Sequence, residues 1–245
     1  MNILVCNAGS TSLKFKLYDM PRETVLAECR IERVGDMNGG SVKYSGGKDT
    51  SENCVIRDYK SGIDKFLSLL TGNETGVIKS TAEIGAVGYK TVLSKDHYGV
   101  HMIDDSVIAG MEAFIAVAPV HNACYIEAIR TFRQILPETP MVGVFETAFH
   151  STLKKEAYIY SVPYEWYEKY GVRRFGYHGA SHSYVADCLT ERLGKSYRAV
   201  SCHLGGSGSI CAIRDGKSVD TSFGFSLQTG VLHTNRAGDI DPYLP

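Results

Sequence analysis

The sequence predicts an α/β protein built on a mixed sheet, and three observations predict it. Short runs of alternating or continuous apolar residues open the chain. Longer segments with apolar residues every three or four positions lie between later apolar runs. The order reads several strands, helix, strand, helices, strand, and then restarts after His150, as layered α/β architectures do. The 245 residues accommodate one large domain or two small ones.

Asn2 to Cys6 is short and apolar, Asn7-Ala8-Gly9-Ser10-Thr11 reads as a turn, and Ser12 to Tyr18 alternates with Leu13, Phe15 and Leu17 on one face. A third strand spans Thr24 to Val34, and Gly39-Gly40 and Gly46-Gly47 bracket Ser41 to Ser45 as a further hairpin. Ile63, Phe66, Leu67 and Leu70 share a face of a helix over Tyr59 to Leu70. Ile84 to Gly88 is a buried strand, Ser106 to Val117 and His121 to Phe132 are helices split by Ala118-Pro119, and Pro140 to Phe145 is a second buried strand. An aromatic, irregular stretch from Tyr158 to Tyr170 precedes a helix over His182 to Leu193 that Gly194 stops. Strands follow at Ala199 to His203, Ser209 to Arg214 and Lys217 to Phe223. Strand, Gly/Ser turn, strand thus occurs near residues 2–18 and again near 199–214. That repetition suggests duplicated domains, 1–148 and 149–245.

Lys plus Arg number 26 against 27 Asp plus Glu, a net charge of −1. Phosphate-backbone binding needs clustered positive charge, so a nucleic-acid partner is not expected. No apolar run approaches the ~20 residues of a membrane span, and Met1 to Cys6 lacks the basic flank of a secretory signal. Seven cysteines, an odd number without a C-x-x-C pair and partly inside strand-like runs, read as buried free thiols in a reducing compartment. The expectation is a cytoplasmic protein with no membrane partner.

Two turns carry chemistry. Asn7 to Lys14 combines glycine, three hydroxyls, an amide and a lysine, so its N–H groups, Ser10, Ser12 and Lys14 can face a phosphate. It reads equally as a polar hairpin turn, and it is not a Walker loop. His203-Leu204-Gly205-Gly206-Ser207-Gly208-Ser209 is richer still in glycine and permits close backbone approach to an anion. Alone it is as readily a flexible hairpin, whereas two such loops at matching places suggest a phosphate clamp.

Asn7 to Lys14, Ala118 to Asn122, Val144 to His150, Gly176 to His182 and Asn235 to Pro242 stand in the order of the motifs of the acetate kinases (acetate/propionate kinase family), which the chain resembles over essentially its whole length. The resemblance implies an α/β fold of two ribonuclease-H-like domains, of the actin and sugar-kinase superfamily, the second incomplete here. It implies reversible phosphoryl transfer between ATP and a short-chain carboxylate, acetate or propionate, giving ADP and an acyl phosphate with Mg²⁺. By position, Arg236 stabilises the transferring group, His178 donates a hydrogen bond to it, and Glu146 joins them as a catalytic residue. Lys90, Val120, His121 and Tyr177 line the substrate side. Asn7, Ser10, Ser12 and Lys14 hold phosphate in the first loop, and His203, Gly205, Gly206, Ser207 and Gly208 in the second. Asn7 and Glu146 stand near the metal, and homodimerisation is implied. Read one at a time, Arg236 is an ordinary surface arginine, His178 and His182 a helix cap or core histidines, and Glu146 a paired carboxylate.

The chain departs from the family pattern at contact positions. Lys90 stands for an arginine in a Gly-His-Arg-Val-Val-His-Gly-Gly run, Glu146 for an aspartate, Gly206 for an asparagine and Leu227 for a pocket proline. Lysine keeps the charge but loses the planar two-pronged donor set. The alternative is therefore an impaired homologue that binds acyl phosphate or nucleotide as a sensor or subunit. A sugar kinase is the weaker third reading. Family members also continue beyond Pro245 with an adenosine-binding segment and a late glutamate. That predicts a fragment, or complementation by a partner polypeptide that supplies the C-terminal part, with association or poor solubility of the isolated chain.

Overall fold

The alternation at the start of the chain becomes strands β1 (Asn2–Gly9) and β2 (Ser12–Asp19), paired antiparallel with Gly9 opposite Ser12. The turn is therefore Ser10-Thr11 alone, not the five residues expected, because Asn7, Ala8 and Gly9 find ladder partners in β2. Strands β3 (Thr24–Glu32), β4 (Gly40–Ser45) and β5 (Thr50–Cys54) extend the antiparallel run. Sequence periodicity missed β5, a polar strand at the sheet edge. Strand β6 (Ile84–Thr91) lies parallel to β1, and β7 (Val100–Met102) pairs antiparallel with β8 (Met141–Phe145). The eight strands order as β5-β4-β3-β2-β1-β6-β8-β7, the mixed sheet that the sequence predicts.

In this computed structural model, residues 1–241, 243 and 244 are described. The chain divides into two compact units, one of Met1–Ser94, Val100–Ile115 and Pro119–Val144, the other of Lys95–Gly99, Ala116–Ala118 and the residues from Phe145 onward.

In the first unit, helix α1 (Tyr59–Thr71) buries Ile63, Phe66, Leu67 and Leu70, the face expected from their spacing. Phe66 stacks on Phe15 at 4.3 Å, and Phe132 meets the edges of Phe15 and Tyr89 at 6.2 Å each. Helix α2 (Asp105–Ala113) ends four residues short of the expected Val117, and α3 (Pro119–Ile135) starts at the proline, whose missing N–H is harmless in a first turn. The buried Asn122 amide donates to the carbonyls of Leu93 and Met111, both at 2.8 Å, and pins α3 to the segment that follows β6 and to α2. Asp58 caps α1: its carboxylate accepts from the Ser61 N–H at 2.7 Å, and the Ser61 hydroxyl accepts from the Asp58 N–H at 3.1 Å. Asp58→Ala is expected to destabilise the first unit by about 1 kcal/mol, read as a lower urea midpoint; an unchanged midpoint contradicts the cap.

The second unit holds short helices α4 (Lys155–Tyr158) and α5 (Tyr164–Tyr170) where an irregular stretch was expected. Neither is long enough to show a helical period. The Arg173 guanidinium lies 3.8 Å from the Tyr158 ring centroid. Helix α6 (Gly179–Leu193) starts three residues before the expected His182, and strands β9 (Arg198–Leu204), β10 (Gly208–Arg214) and β11 (Lys217–Thr221) form a sheet of order β11-β10-β9. Ala186 of α6 packs on Cys211 and Ile213 of β10. All seven cysteines are free, and Cys6, Cys29, Cys124 and Cys211 are buried. Cys202, expected inside, is exposed, because the two-residue period of β9 turns Ser201 inward instead. Among the described residues, no helix is long and apolar enough to cross a membrane.

Candidate functional site

The sequence candidates divide between the two units. In the first, Asn7 and Lys14 are direct cross-strand partners on an exposed face of the β1–β2 hairpin, with Ser10 in its turn and Ser12 at the start of β2. The Tyr125 hydroxyl, reaching from α3, donates to Asn7 Oδ1 at 2.9 Å and fixes which end of that amide faces outward. Tyr59, at the start of α1, donates to the Gly9 carbonyl beside the turn. Lys90 is exposed near the end of β6, and Val120 and His121 are exposed in the first turn of α3.

The second unit gathers the remaining candidates into one hydrogen-bonded assembly. Glu146 follows β8 directly and is buried, and its carbonyl accepts from the Gly179 N–H at 3.0 Å. A Cβ at Gly179 would fall well inside van der Waals contact with that oxygen, so only glycine brings the start of α6 so close. His178 precedes α6 in the left-handed region at φ 57°, an uncommon conformation for a residue other than glycine. Its ring stacks on His203 of β9 at 3.9 Å and 27°, and its Nδ1 lies 2.9 Å from the Ser209 hydroxyl of β10. His203 Nδ1 in turn lies 2.9 Å from Ser181 Oγ. Tyr177 is buried, with its hydroxyl donating to the Phe225 carbonyl at 2.8 Å.

Two further histidines support this arrangement. His182 Nε2 lies 2.8 Å from Ser209 Oγ, and its Nδ1 lies 2.9 Å from Ser201 Oγ. His150 bonds the Ser218 hydroxyl through Nδ1 at 2.8 Å and the Tyr177 carbonyl through Nε2 at 3.0 Å. A carbonyl only accepts, so His150 carries its proton on Nε2 and takes the Ser218 proton at Nδ1. Burial pulls His150 down to about 4, against a smaller upward push from the Tyr177 carbonyl. Burial also pulls His182 down to about 4, and its neighbours His150 and His203 act in the same direction.

The second glycine loop, Gly205-Gly206-Ser207, is the turn between β9 and β10. His233, which sequence reasoning did not single out, holds it. The Gly208 N–H donates to His233 Nδ1 at 3.1 Å, the Thr234 N–H donates to the Gly206 carbonyl at 2.9 Å, and the His233 N–H donates to the Arg236 carbonyl at 3.1 Å. Phe223, fully buried, stacks on His233 and meets His178 edge-on, each at 5.2 Å. The Arg236 guanidinium donates to the Leu227 carbonyl. Pro242, at the end of the last motif, lies outside the described residues. Ser201, His203 and Ser209 share one sheet face, since His203 is two residues from Ser201 and opposite Ser209. That alternation was the signal available in sequence for the two serines.

Among the described residues, no three His, Cys, Asp or Glu side chains form a metal-holding group. Within the second unit the Glu146 carboxylate is a donor of the type Mg²⁺ accepts when water and phosphate oxygens complete its shell.

Residues 2–244 match the Acetokinase family. The propionate kinase of Citrobacter rodentium is 43% identical over 246 residues, covering 99% of this chain and 60% of that protein. The acetate kinase of Coprothermobacter proteolyticus is 45% identical over 253 residues, covering 100% and 62%. Among solved structures, the acetate kinase of Porphyromonas gingivalis superimposes with a TM-score of 0.86 at 36% identity, and a propionate kinase from Francisella tularensis with 0.89 at 33%. Each match covers 98% of this chain and 62% of the other. The chain thus spans about three-fifths of the length of the curated relatives it matches.

Proposed function

The chain belongs to the acetokinase family, and on that premise we propose that it acts in reversible phosphoryl transfer between ATP and a short-chain carboxylate, acetate or propionate. The observation that carries this reading is the hydrogen-bonded assembly of the second unit. The Glu146 strand end, His178 at the start of α6, the Gly205–Ser207 turn and the Arg236 segment are tied together through Gly179, Ser209 and His233. Phosphoryl transfer needs little covalent help from protein; it needs oxygens held in line and donors aimed at the equatorial oxygens. His178 donates one hydrogen bond, Arg236 supplies positive charge, and the N–H groups of the glycine turn face phosphate. From the first unit, Asn7, Ser10, Ser12 and Lys14 bind the nucleotide phosphates, while Lys90, with Val120 and His121, receives the carboxylate; Tyr177, expected beside them, is buried in the second unit with its hydroxyl on the Phe225 carbonyl. Asn7 and Glu146 would hold Mg²⁺, which would neutralise phosphate charge. Seven free cysteines fit a cytoplasmic setting, and a homodimer or a complementing polypeptide is the partner this reading expects.

Exchange of label from ATP into acyl phosphate, measured with and without a polypeptide that supplies the relatives' remaining two-fifths, tests the reading. Exchange in either preparation supports it. Absence from both favours a sensor or subunit that binds acyl phosphate or nucleotide, a reading supported by the changes at Lys90, Glu146, Gly206 and Leu227. Where exchange occurs, Lys90→Arg is expected to raise acetate turnover by roughly tenfold, one charge-assisted bond's worth, by restoring two-pronged carboxylate binding. Unchanged or lower turnover counts against acetate as the acceptor.

A further inference from the structure

We propose that Ser209, backed by His182 and Ser201, is a positioning residue for His178: the side chains form one relay that holds His178 as the neutral tautomer with its proton on Nε2. The inference rests on the reading that His178 donates to a phosphoryl group, and it supplies the means by which a buried network keeps that donor ready.

The argument is a count of protons. Ser209 Oγ lies between two imidazoles, 2.9 Å from His178 Nδ1 and 2.8 Å from His182 Nε2, and it has one proton to give. His182, fully buried and neutral above about pH 4, has one ring N–H for its two serine contacts. Two directions satisfy these three contacts. In the first, Ser201 donates to His182 Nδ1, His182 Nε2–H donates to Ser209, and Ser209 donates to His178 Nδ1, which leaves the His178 proton on Nε2. In the second, every bond reverses, and the His178 proton sits on Nδ1.

Burial selects between them. In the second direction Ser201 accepts from His182, and its own proton must find another acceptor. Ser201 is 6% exposed, and His182 is its hydroxyl's one side-chain partner among the described residues. A buried donor left unsatisfied bears the full penalty of losing its water partners. The first direction leaves only a serine lone pair idle, which is the cheaper omission. His150, alongside, shows the same pattern where no choice exists: a serine donates to Nδ1, and the Nε2 proton points away from that serine to a carbonyl. The left-handed backbone of His178 and its stacking on His203 hold the ring in the plane the relay requires.

Two-bond proton–nitrogen correlation spectra of the full chain, labelled at histidine nitrogen and recorded near neutral pH without ligand, read the tautomers directly. The expected result is a protonated Nε2 and a bare Nδ1 for both His178 and His182. Ser201→Ala, three hydrogen bonds away from His178, is expected to shift the His178 nitrogens toward a mixture of tautomers, and Ser201→Thr to restore them. A proton on His178 Nδ1 in the unaltered chain overturns the relay, as does a His178 signature that ignores Ser201→Ala. Should the alanine variant fail to fold, the unaltered chain alone decides. No turnover is measured, so failure of the relay leaves the proposed reaction standing, and absence of phosphoryl exchange leaves the relay standing.

Discussion

Acidification from about pH 6.5 to about pH 4 is expected to remove much of the second unit's stability. His150 and His182 are buried, and each is held at about 4 instead of the ordinary 6.5. Between these values the unfolded chain binds protons that the folded chain refuses, so stability is fully present above about pH 6.5 and is lost as the pH falls through about 4. For His150 alone the difference corresponds to about 3 kcal/mol, a sizeable share of the stability of an ordinary domain. His182 acts in the same direction, but its shift includes the influence of His150, so the two contributions do not simply add. Urea unfolding followed by near-ultraviolet circular dichroism between pH 4 and 8 should show the midpoint falling with pH. His150→Gln, which retains an amide donor for the Tyr177 carbonyl, should flatten the profile. A flat profile in the unaltered chain would mean that these imidazoles are not held neutral by burial.

Gly176→Ala is expected to cost on the order of 4 kcal/mol, more than any surface change in the chain. Gly176 has φ 73°, where a side chain adds about 1–2 kcal/mol. A Cβ there would meet His150 Cγ at 2.5 Å, His150 Cδ2 at 2.6 Å and Thr221 Cγ2 at 2.8 Å. The imidazole cannot step aside, because both of its nitrogens are bonded, one to Ser218 and one to the Tyr177 carbonyl. Overpacking against such a fixed ring adds about 1–3 kcal/mol. The same urea titration measures it, and a loss below about 1 kcal/mol would show that the 175–178 segment reorients freely.

Local chemistry carried much of the architecture into the sequence. Alternation at Leu13, Phe15 and Leu17 and helical spacing at Ile63, Phe66 and Leu70 are short-range statements, and each reappears in the fold. The edges escaped notice. Strand β5 is polar, and β7 (Val100-His101-Met102) is three residues long, so neither buries enough apolar surface to leave a period. Asn7, His178, His203 and the glycine turns were visible as motifs. His233 and Tyr125 were not, because an isolated histidine or tyrosine carries no pattern of its own.

The sequence by itself determined the α/β class, the order of elements and the family, since each follows from neighbours within a few residues or from ordered motifs. Only the tertiary structure decided which hydroxyl faces which imidazole. Ser209 stands 31 residues from His178 and 27 from His182, and strand register with helix packing brings the three together. Direction along a hydrogen-bond chain is a property of the whole circuit, set where burial leaves one donor nowhere else to go.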